Sequence, residues 1–370
     1  MRIDAIELHR LRMPLVRPFE TSFGRQETRE VLLVRVRSAA ADGWGECVAL
    51  SAPVYSSEYV DGCQDVLRRY LAPAVLAAEH GDVEQFGALT GFVVGHRMAK
   101  AALEAALLDA ELTADGRSFG EYLGAVRTEV DCGVSVGIAG SLAALLDEVT
   151  EYRAQGYRRI KLKIKPGWDL EPVAAVRELL GPDFPLQVDA NTAYRRADID
   201  HLVALDRFTL LLVEQPFAEE DIASHAALAA VLNTPVCLDE SILDAATAVD
   251  AIERRATRVI NIKAGRVGGY REAVRVHDAC RSRGIPVWCG GMLETGIGRA
   301  ANVALAALPG FTLPGDTSAS GRYYREDITD PFVLQDGRLA VPTGPGIGVT
   351  VRDDLIRELA SQAPIVLRRE

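Results

Sequence analysis

Apolar and polar positions follow two different patterns along this chain of 370 residues. Near the start, apolar residues are interleaved with charged ones from Ile3 to Leu8, and an apolar run covers 31–36, which together predict two antiparallel strands. The segment 18–24 between them has no clear periodicity and predicts a loop. Apolar residues at helical spacing over 57–78 and 96–112 predict helices. We therefore expect an α+β region over roughly residues 1–125.

From about residue 132 the pattern changes to short apolar runs, each followed by an amphipathic helix, which is typical of a parallel α/β domain. The runs are 132–137, 160–164, 186–189, 211–214, 236–239, 259–263, 286–290 and 311–315. Eight such units predict a closed (β/α) barrel of the TIM type, although the pattern alone also allows an open doubly wound sheet. The pattern lapses after about residue 330.

One polar residue ends each of the middle five runs. These residues stand 26, 25, 25 and 24 positions apart, one βα unit each time, and they are Lys163, Asp189, Glu214, Asp239 and Lys263. Side chains at the carboxyl ends of barrel strands converge on one face, where enzymes with this fold carry their sites. The spacing therefore predicts that these five residues lie together.

Three of the five are carboxylates that follow apolar strands, where an isolated negative charge is costly to bury. Oxygen ligands without nearby His or Cys favour a hard cation such as magnesium, with manganese or cobalt as alternatives. The other interpretation is that the acids only cap helices or form salt bridges. Their regular placement, one per strand, favours the metal.

Lys163 and Lys263 flank the three acids and would face each other across a closed barrel. Lys161 points to the same side of its strand as Lys163, which should lower the pKa of Lys163 toward that of a general base, and Arg266 could act in the same way on Lys263. A metal can stabilise the enediolate formed when a carbon acid next to a carboxylate loses its proton. Bases on both faces would permit racemisation. Alternatively, both lysines only pair with the acids.

Composition excludes several other classes. A formal net charge of −11 without a basic run argues against nucleic acid. No apolar stretch approaches the roughly 18 residues of a membrane helix, and charged residues interrupt the first twelve positions, so we expect neither a membrane protein nor a signal peptide but a cytosolic protein. The six cysteines show no CxxC spacing, so we expect buried free thiols.

The chain resembles the enolase superfamily, muconate-lactonising subgroup, over nearly its whole length, and most closely the o-succinylbenzoate synthase and N-acylamino acid racemase branch. The carrying motifs are Lys161-Leu162-Lys163, Val188-Asp189-Ala190-Asn191, Val213-Glu214-Gln215-Pro216, Leu238-Asp239-Glu240-Ser241 and Ile262-Lys263-Ala264-Gly265-Arg266-Val267-Gly268-Gly269. The branch signatures include Phe19-Glu20-Thr21-Ser22-Phe23-Gly24, Tyr55-Ser56-Ser57-Glu58, Gly95-His96-Arg97-Met98-Ala99-Lys100 and Trp288-Cys289-Gly290-Gly291-Met292-Leu293-Glu294-Thr295-Gly296.

The resemblance implies a modified barrel over 126–330 and a capping domain over 1–125 that the tail, 331–370, completes. The resemblance implies that Lys163 and Lys263 are the catalytic pair and that Asp189, Glu214 and Asp239 bind magnesium. Substrate would be bound by Phe19, Tyr55, Ser135, Lys161, Asn191, Arg266, Gly291, Met292 and Leu293. Phe19 and Tyr55 would close the pocket from loops, although both could instead be hinge packing for the cap.

The implied substrate is a small carboxylate, and the implied assembly is a homo-oligomer. Both branch activities remove the proton next to a carboxylate, followed either by loss of water to give o-succinylbenzoate, for menaquinone synthesis, or by reprotonation that inverts an N-succinylamino acid. The fold cannot choose between them. Arg266, close to Lys263, favours racemase competence.

Two other motifs suggest alternative functions. Residues 133–137 satisfy G-x-S-x-G, the nucleophile elbow of serine hydrolases, but valines on both sides of Ser135 suit an extended strand, and His277 is the last histidine. A dipeptide epimerase usually carries Asp-x-Asp at the eighth strand, where this chain has Asp316-Thr317-Ser318. Both readings are therefore disfavoured.

Overall fold

The computed structural model describes residues 1–369. They form an antiparallel sheet and a larger parallel sheet, both covered by helices, and a separate two-stranded antiparallel sheet. The strands in chain order are β1 (Ile3–Thr21), β2 (Gly24–Ser38), β3 (Gly43–Cys47), β4 (Glu129–Asp131), β5 (Gly133–Val136), β6 (Arg159–Lys163), β7 (Leu186–Asp189), β8 (Val213–Glu214), β9 (Val236–Leu238), β10 (Val259–Ile262), β11 (Val287–Cys289), β12 (Arg338–Ala340) and β13 (Ile365–Arg368).

The helices lie mainly between these strands. They are α1 (Val60–Val66), α2 (Ala72–Ala77), α3 (Phe86–Thr90), α4 (Arg97–Ala114), α5 (Phe119–Leu123), α6 (Leu142–Ala154), α7 (Leu170–Leu180), α8 (Ile199–Val203), α9 (Ile222–Ala229), α10 (Ala245–Glu253), α11 (Ala264–Val267), α12 (Tyr270–Arg281), α13 (Gly296–Ala306) and α14 (Asp353–Glu358). A π-helical turn, Leu67–Leu71, joins α1 to α2. None of these described helices has the length and apolar character needed to cross a bilayer.

The antiparallel sheet has the strand order β13, β1, β2, β3, so a strand from the C-terminal tail pairs with the first strand of the chain. Helix α4 packs directly on β3. A side chain at Gly43 or Gly45 would collide with the α4 backbone, with the carbonyl oxygens of Ala106 and Ala102 only 2.2 and 2.0 Å from the added carbon. The two glycines therefore let the helix lie flat on the strand.

The prediction of a loop over 18–24 is wrong for most of these residues, which belong to strands. Strands β1 and β2 form a long hairpin whose register continues to the pair Thr21 and Gly24, which leaves a turn of two residues. The sequence pattern missed this because the register slips between Pro14 and Phe19 and the tip has few apolar positions. The tip reaches the barrel, where Ile138 N donates to Glu20 O at 2.9 Å.

The parallel sheet confirms the predicted barrel class. Strands β5 to β11 lie side by side in chain order, and every pair is parallel. The eighth run, 311–315, forms single bridges instead of a strand: Phe311 pairs with Val287 and Gly315 with Cys132. Pro314 lacks an N–H group and cannot extend the ladder. The ring of strands is thus closed by two bridges. The predicted domain boundaries stay a prediction.

Buried glutamates join the antiparallel sheet and its helix to the barrel helices. Glu46 accepts hydrogen bonds from Thr295 N at 3.1 Å and Gly298 N at 3.0 Å, at the first turn of α13. Glu104 accepts from the backbone N–H of Tyr270 at the start of α12. Free N–H groups at a helix start favour a carboxylate, but burial opposes its charge and raises the pKa of both glutamates to about 7.

Glu104→Gln should flatten the pH dependence of stability. The unfolded glutamate has an ordinary pKa of 4.5 and the folded one about 7, so the folded state holds a proton that the unfolded state has lost between these values. Wild-type stability should therefore fall relative to the variant as pH rises from 4.5 to about 7, by at most roughly 3 kcal/mol. Urea unfolding at several pH values measures this.

The exposed Glu253 provides the matched control. Glu253→Gln should follow the wild-type curve, because its carboxyl group remains in solvent. Identical pH slopes in wild type and Glu104→Gln would contradict the assignment of a raised pKa to Glu104.

Candidate active site

The structure brings together the five charged residues that end successive barrel strands. Lys163, Asp189 and Glu214 are the last residues of β6, β7 and β8, and Asp239 and Lys263 directly follow β9 and β10. The strand register places Lys163 beside Asp189 and Asp189 beside Glu214. All five are buried. Their convergence follows from the parallel register, since each strand presents the same end to one face of the barrel.

The two lysines lie on opposite flanks of the carboxylates. Lys163 Nζ contacts Asp189 Oδ2 and Asn191 Oδ1, both at 2.6 Å. Lys263 Nζ contacts Asp239 Oδ2 at 2.6 Å and the hydroxyl of Tyr55 at 2.9 Å. Each ammonium is thus held at the edge of the acidic group and directed towards it.

Lys161 lies deeper, among three acids. Its Nζ is 2.8 Å from Asp316 Oδ2, 3.1 Å from Glu214 Oε2 and 3.3 Å from Asp189 Oδ2. Burial disfavours its charge, but these carboxylates outweigh burial and raise the pKa of Lys161 above its ordinary value. Lys161 and Lys163 contact the same Asp189 oxygen, which offsets the repulsion between them.

The expected effect of Arg266 does not decide the pKa of Lys263, which is raised overall. Burial alone would lower that pKa, but Asp239 and the neighbouring acidic groups outweigh it and hold the pKa of Lys263 well above its ordinary value. The Arg266 guanidinium is engaged elsewhere: Nε donates to Asp239 O at 3.1 Å, and Nη2 pairs with Glu219 at 2.9 Å. It also lies 5.3 Å from the Tyr55 ring centre.

The three acids match magnesium in donor chemistry. Within residues 1–369, no three His, Cys, Asp or Glu side chains lie close enough together to hold a metal in their present positions. The three carboxylates form ion pairs with lysines instead. The lysines nevertheless do not fully compensate the negative charge of the acids in this group. Burial and the charges of Asp189 and Asp239 raise the pKa of Glu214 to about 8, and the buried Glu240 Oε2 has no hydrogen-bond partner. A divalent cation fits this excess of oxygen ligands.

Tyr55 and Phe19 occupy different positions relative to the lysines. Tyr55 enters the charged group: its hydroxyl lies 3.2 Å from Asp239 Oδ2, and the Lys263 ammonium lies 4.7 Å from its ring centre. Phe19 is buried against the edge of Tyr323 and beneath the Arg322 guanidinium, 5.6 Å from the ring centre. The structure thus joins Tyr55 to the charged site, whereas Phe19 packs at the hairpin tip.

Two of the remaining predicted pocket residues, Asn191 and Gly291, contact members of the charged group. Asn191 contacts Lys163 and donates to Glu240 Oε1 at 2.9 Å. Gly291 lies against Asp316, whose carbonyl oxygen would be 2.9 Å from an added Cβ. Met292, like Lys263, borders a small internal cavity, and Leu293 adopts a left-handed backbone with φ of 59°. Substrate roles for these residues stay predictions.

Three site residues were missed by sequence reasoning. Asn261 donates to Glu214 Oε1 at 2.7 Å, Glu240 accepts from Asn191, and Asp316 pairs with Lys161. Asp316 could have been found, because it directly follows the eighth apolar run in the manner of the earlier strand ends. Asn261 gave no such signal because it lies inside a run, and Glu240 was passed over because Asp239 before it already ends that run.

The geometry counts against both rival readings. Ser135 lies in the extended strand β5 and donates to Asp316 Oδ2 at 3.0 Å, and no histidine in the described chain bonds to it. A serine nucleophile would need such a base. Asp316 also pairs with Arg159 and Lys161, so its carboxylate is already engaged and does not offer itself to a substrate amine.

Comparison with known proteins covers the whole chain. Residues 5–124 match the model "Mandelate racemase / muconate lactonizing enzyme, N-terminal domain", and residues 144–355 match "Enolase C-terminal domain-like". The chain is 60% identical to an N-succinylamino acid racemase from Amycolatopsis sp, with 98% of each chain covered. It is 46% identical to an o-succinylbenzoate synthase from Geobacillus stearothermophilus, over 95% of this chain and 94% of that one. An enolase superfamily member from Listeria innocua superimposes with a TM-score of 0.95 at 37% identity, covering 100% of both chains.

Magnesium should stabilise the protein through these acids. Saturation at 100 times the dissociation constant raises the free energy of unfolding by about 2.7 kcal/mol. Glu214→Gln should lose that increment, yet be no less stable than wild type in chelator, because the metal-free site already disfavours a negative charge at Glu214. Calorimetric melting with chelator and with magnesium measures both effects.

Glu171→Gln, on the exposed side of α7, is the control and should keep the full magnesium increment. An unchanged increment in Glu214→Gln would remove Glu214 from the metal set.

Proposed function

Because the chain belongs to the enolase superfamily, in the mandelate racemase and muconate lactonizing group, we propose that it removes the proton next to a substrate carboxylate and racemises N-succinylamino acids. The same proton removal, followed by loss of water, would produce o-succinylbenzoate. One observation carries the proposal: two buried lysines, Lys163 and Lys263, flank a set of three carboxylates from opposite sides.

The substrate carbon would lie between the Nζ atoms of the two lysines. One lysine, in its neutral form, takes the proton from one face, and the other, in its charged form, returns a proton to the opposite face. Bound magnesium would supply Lewis-acid stabilisation of the charge that develops on the substrate carboxylate. Asp189, Glu214 and Asp239 are the residues that would hold it. Lys161, kept charged by its acidic neighbours, adds a fixed positive charge at the same place.

Both lysines are paired with acids, and at Lys263 the surrounding acidic groups outweigh burial and raise the pKa. Lys263 would have to leave Asp239 before it could act as a neutral base at working pH. Tyr55 can assist on one side, because its hydroxyl contacts both Lys263 and Asp239 and can remain bonded to the carboxylate when the amine turns to substrate. This supports unequal environments for the two bases.

The two-base mechanism predicts a stereochemical division between the lysines. With N-succinyl-L-phenylalanine or its D enantiomer and magnesium in deuterated water, wild type should exchange the α-proton of both and lose optical rotation. Lys163→Ala and Lys263→Ala should each stop racemisation, with a loss of at least about 100-fold, while each still exchanges one enantiomer. Proton NMR together with polarimetry measures this.

Loss of exchange with both enantiomers in both variants would argue against one base per face. Dehydration to o-succinylbenzoate without any exchange of the amino acid in wild type would make this a lyase alone.

Arg266 gives a second prediction, because it lies beside the Lys263 flank through Asp239 O and Tyr55. Dehydration needs one lysine to act as base and then as acid, whereas racemisation needs both lysines to exchange protons. Arg266→Gln should therefore lower kcat/KM for racemisation about 10-fold or more beyond its effect on dehydration. Parallel assays of both reactions on the same preparation measure the difference.

Glu219→Gln is the matched control, since it removes the partner of Arg266 Nη2 and leaves the guanidinium in place. Equal losses of both reactions in Arg266→Gln would eliminate a selective role.

A further inference from the structure

Asp316 is a buried acid that the eighth barrel segment brings to the centre of the ring. Its Oδ1 pairs with Arg159 Nη1 at 2.8 Å, and its Oδ2 contacts Lys161 Nζ at 2.8 Å and accepts from Ser135 Oγ at 3.0 Å. Its backbone N–H donates to Cys289 O at 2.8 Å. Residues of β5 and β6 and of β11, at the other end of the strand order, therefore fix the position of one carboxylate.

The other two acids around Lys161 have a different proposed duty. Asp189 and Glu214 belong to the set assigned to magnesium, and Asp189 Oδ2 is also shared with Lys163. Asp316 lies outside that set and still makes the shortest contact to Lys161. It is the partner that can hold the ammonium when the other two carboxylates are engaged elsewhere.

The ring of Trp288 lies beside Lys161 and Arg159. The Trp288 ring centre lies 4.6 Å from Lys161 Nζ and 5.1 Å from the Arg159 guanidinium carbon, and the indole is fully buried. A ring face attracts both cations but fixes neither along its plane. The directional restraint on Lys161 from this side therefore comes from Asp316.

We propose that Asp316 is a positioning residue, which holds the Lys161 ammonium at the place where negative charge develops on the substrate carboxylate. This inference rests on the proposed function and assigns to the eighth segment a part in the reaction. A preorganised charge helps most where it is aimed at charge that grows in the transition state. Loosening Lys161 should therefore reduce kcat more than it raises KM.

The competing explanation is purely structural. Asp316 sits at the seam where the ring closes through two single bridges, and its pair with Arg159 could serve only to hold that seam. A structural role would act on stability and on every function of the site, independently of Lys161. A double-mutant cycle separates the two explanations, because residues that act as a unit have non-additive effects.

The experiment measures kcat and KM for N-succinyl-L-phenylalanine racemisation in wild type, Asp316→Asn, Lys161→Met and the double variant. Asn keeps the size and one acceptor oxygen but loses the charge. Asp316→Asn should lower kcat by about 10- to 100-fold, with KM changed less, because small displacements in a site cost up to that much. The double variant should be no slower than Lys161→Met alone.

Asp327→Asn is the matched structural control. Asp327 is a buried aspartate that bonds to Gly296 N at 2.8 Å and Ser320 Oγ at 2.6 Å, with no contact to Lys161. Asp327→Asn should have a lower melting temperature than wild type. In combination with Lys161→Met, any loss of kcat that it causes should multiply the loss caused by Lys161→Met. If Asp316→Asn does not fold, Ser135→Ala removes one bond to the same carboxylate and should give a smaller loss of kcat that disappears in Lys161→Met.

Full kcat in Asp316→Asn, or losses that multiply in the double variant, would overturn the inference while leaving the proposed function intact. A wild type that neither exchanges the α-proton nor racemises the substrate would overturn the proposed function, and this inference with it.

Discussion

Buried charge at the mouth of the barrel has to be compensated locally, and much of the site's architecture follows from that requirement. Three carboxylates at adjacent strand ends repel each other, and burial raises the pKa of Glu214 to about 8. Lys161, Lys163 and Lys263 reach in from both flanks to offset them. The lysines offset the carboxylates only in part, since the pKa of Glu214 stays raised and Glu240 Oε2 has no hydrogen-bond partner, and this leaves oxygen ligands for a cation.

The same requirement explains why distant parts of the chain meet at the barrel. Tyr55, from the connection after β3, bonds to both Lys263 and Asp239. Asp316 closes the ring and at the same time balances Arg159 and Lys161. Ring closure and charge balance are therefore linked, because the weakly paired eighth segment carries the acid that two buried cations need.

The antiparallel sheet is attached to the barrel by another use of buried carboxylates. Glu46 and Glu104 accept backbone N–H groups at the starts of α13 and α12. These contacts orient the sheet and its hairpin over the barrel, where Ser22 Oγ donates to Asn191 O at 2.9 Å. Hydrogen bonds thus join the antiparallel sheet to the barrel both at its base and at the tip of its hairpin.

The sequence by itself determined the barrel class and the grouping of Lys163, Asp189, Glu214, Asp239 and Lys263. It could do so because a polar residue repeated once per βα unit marks the same end of successive parallel strands, so local spacing carries three-dimensional information.

Only the tertiary structure decided the length of the first hairpin, the reduction of the eighth strand to two bridges, and the partners of Tyr55, Glu104 and Asp316. These contacts join residues far apart in the chain, and no local periodicity records them. The direction of the Lys263 pKa was decided there as well, because it depends on which charge lies nearest in space, Asp239, and not on which lies nearest in sequence, Arg266.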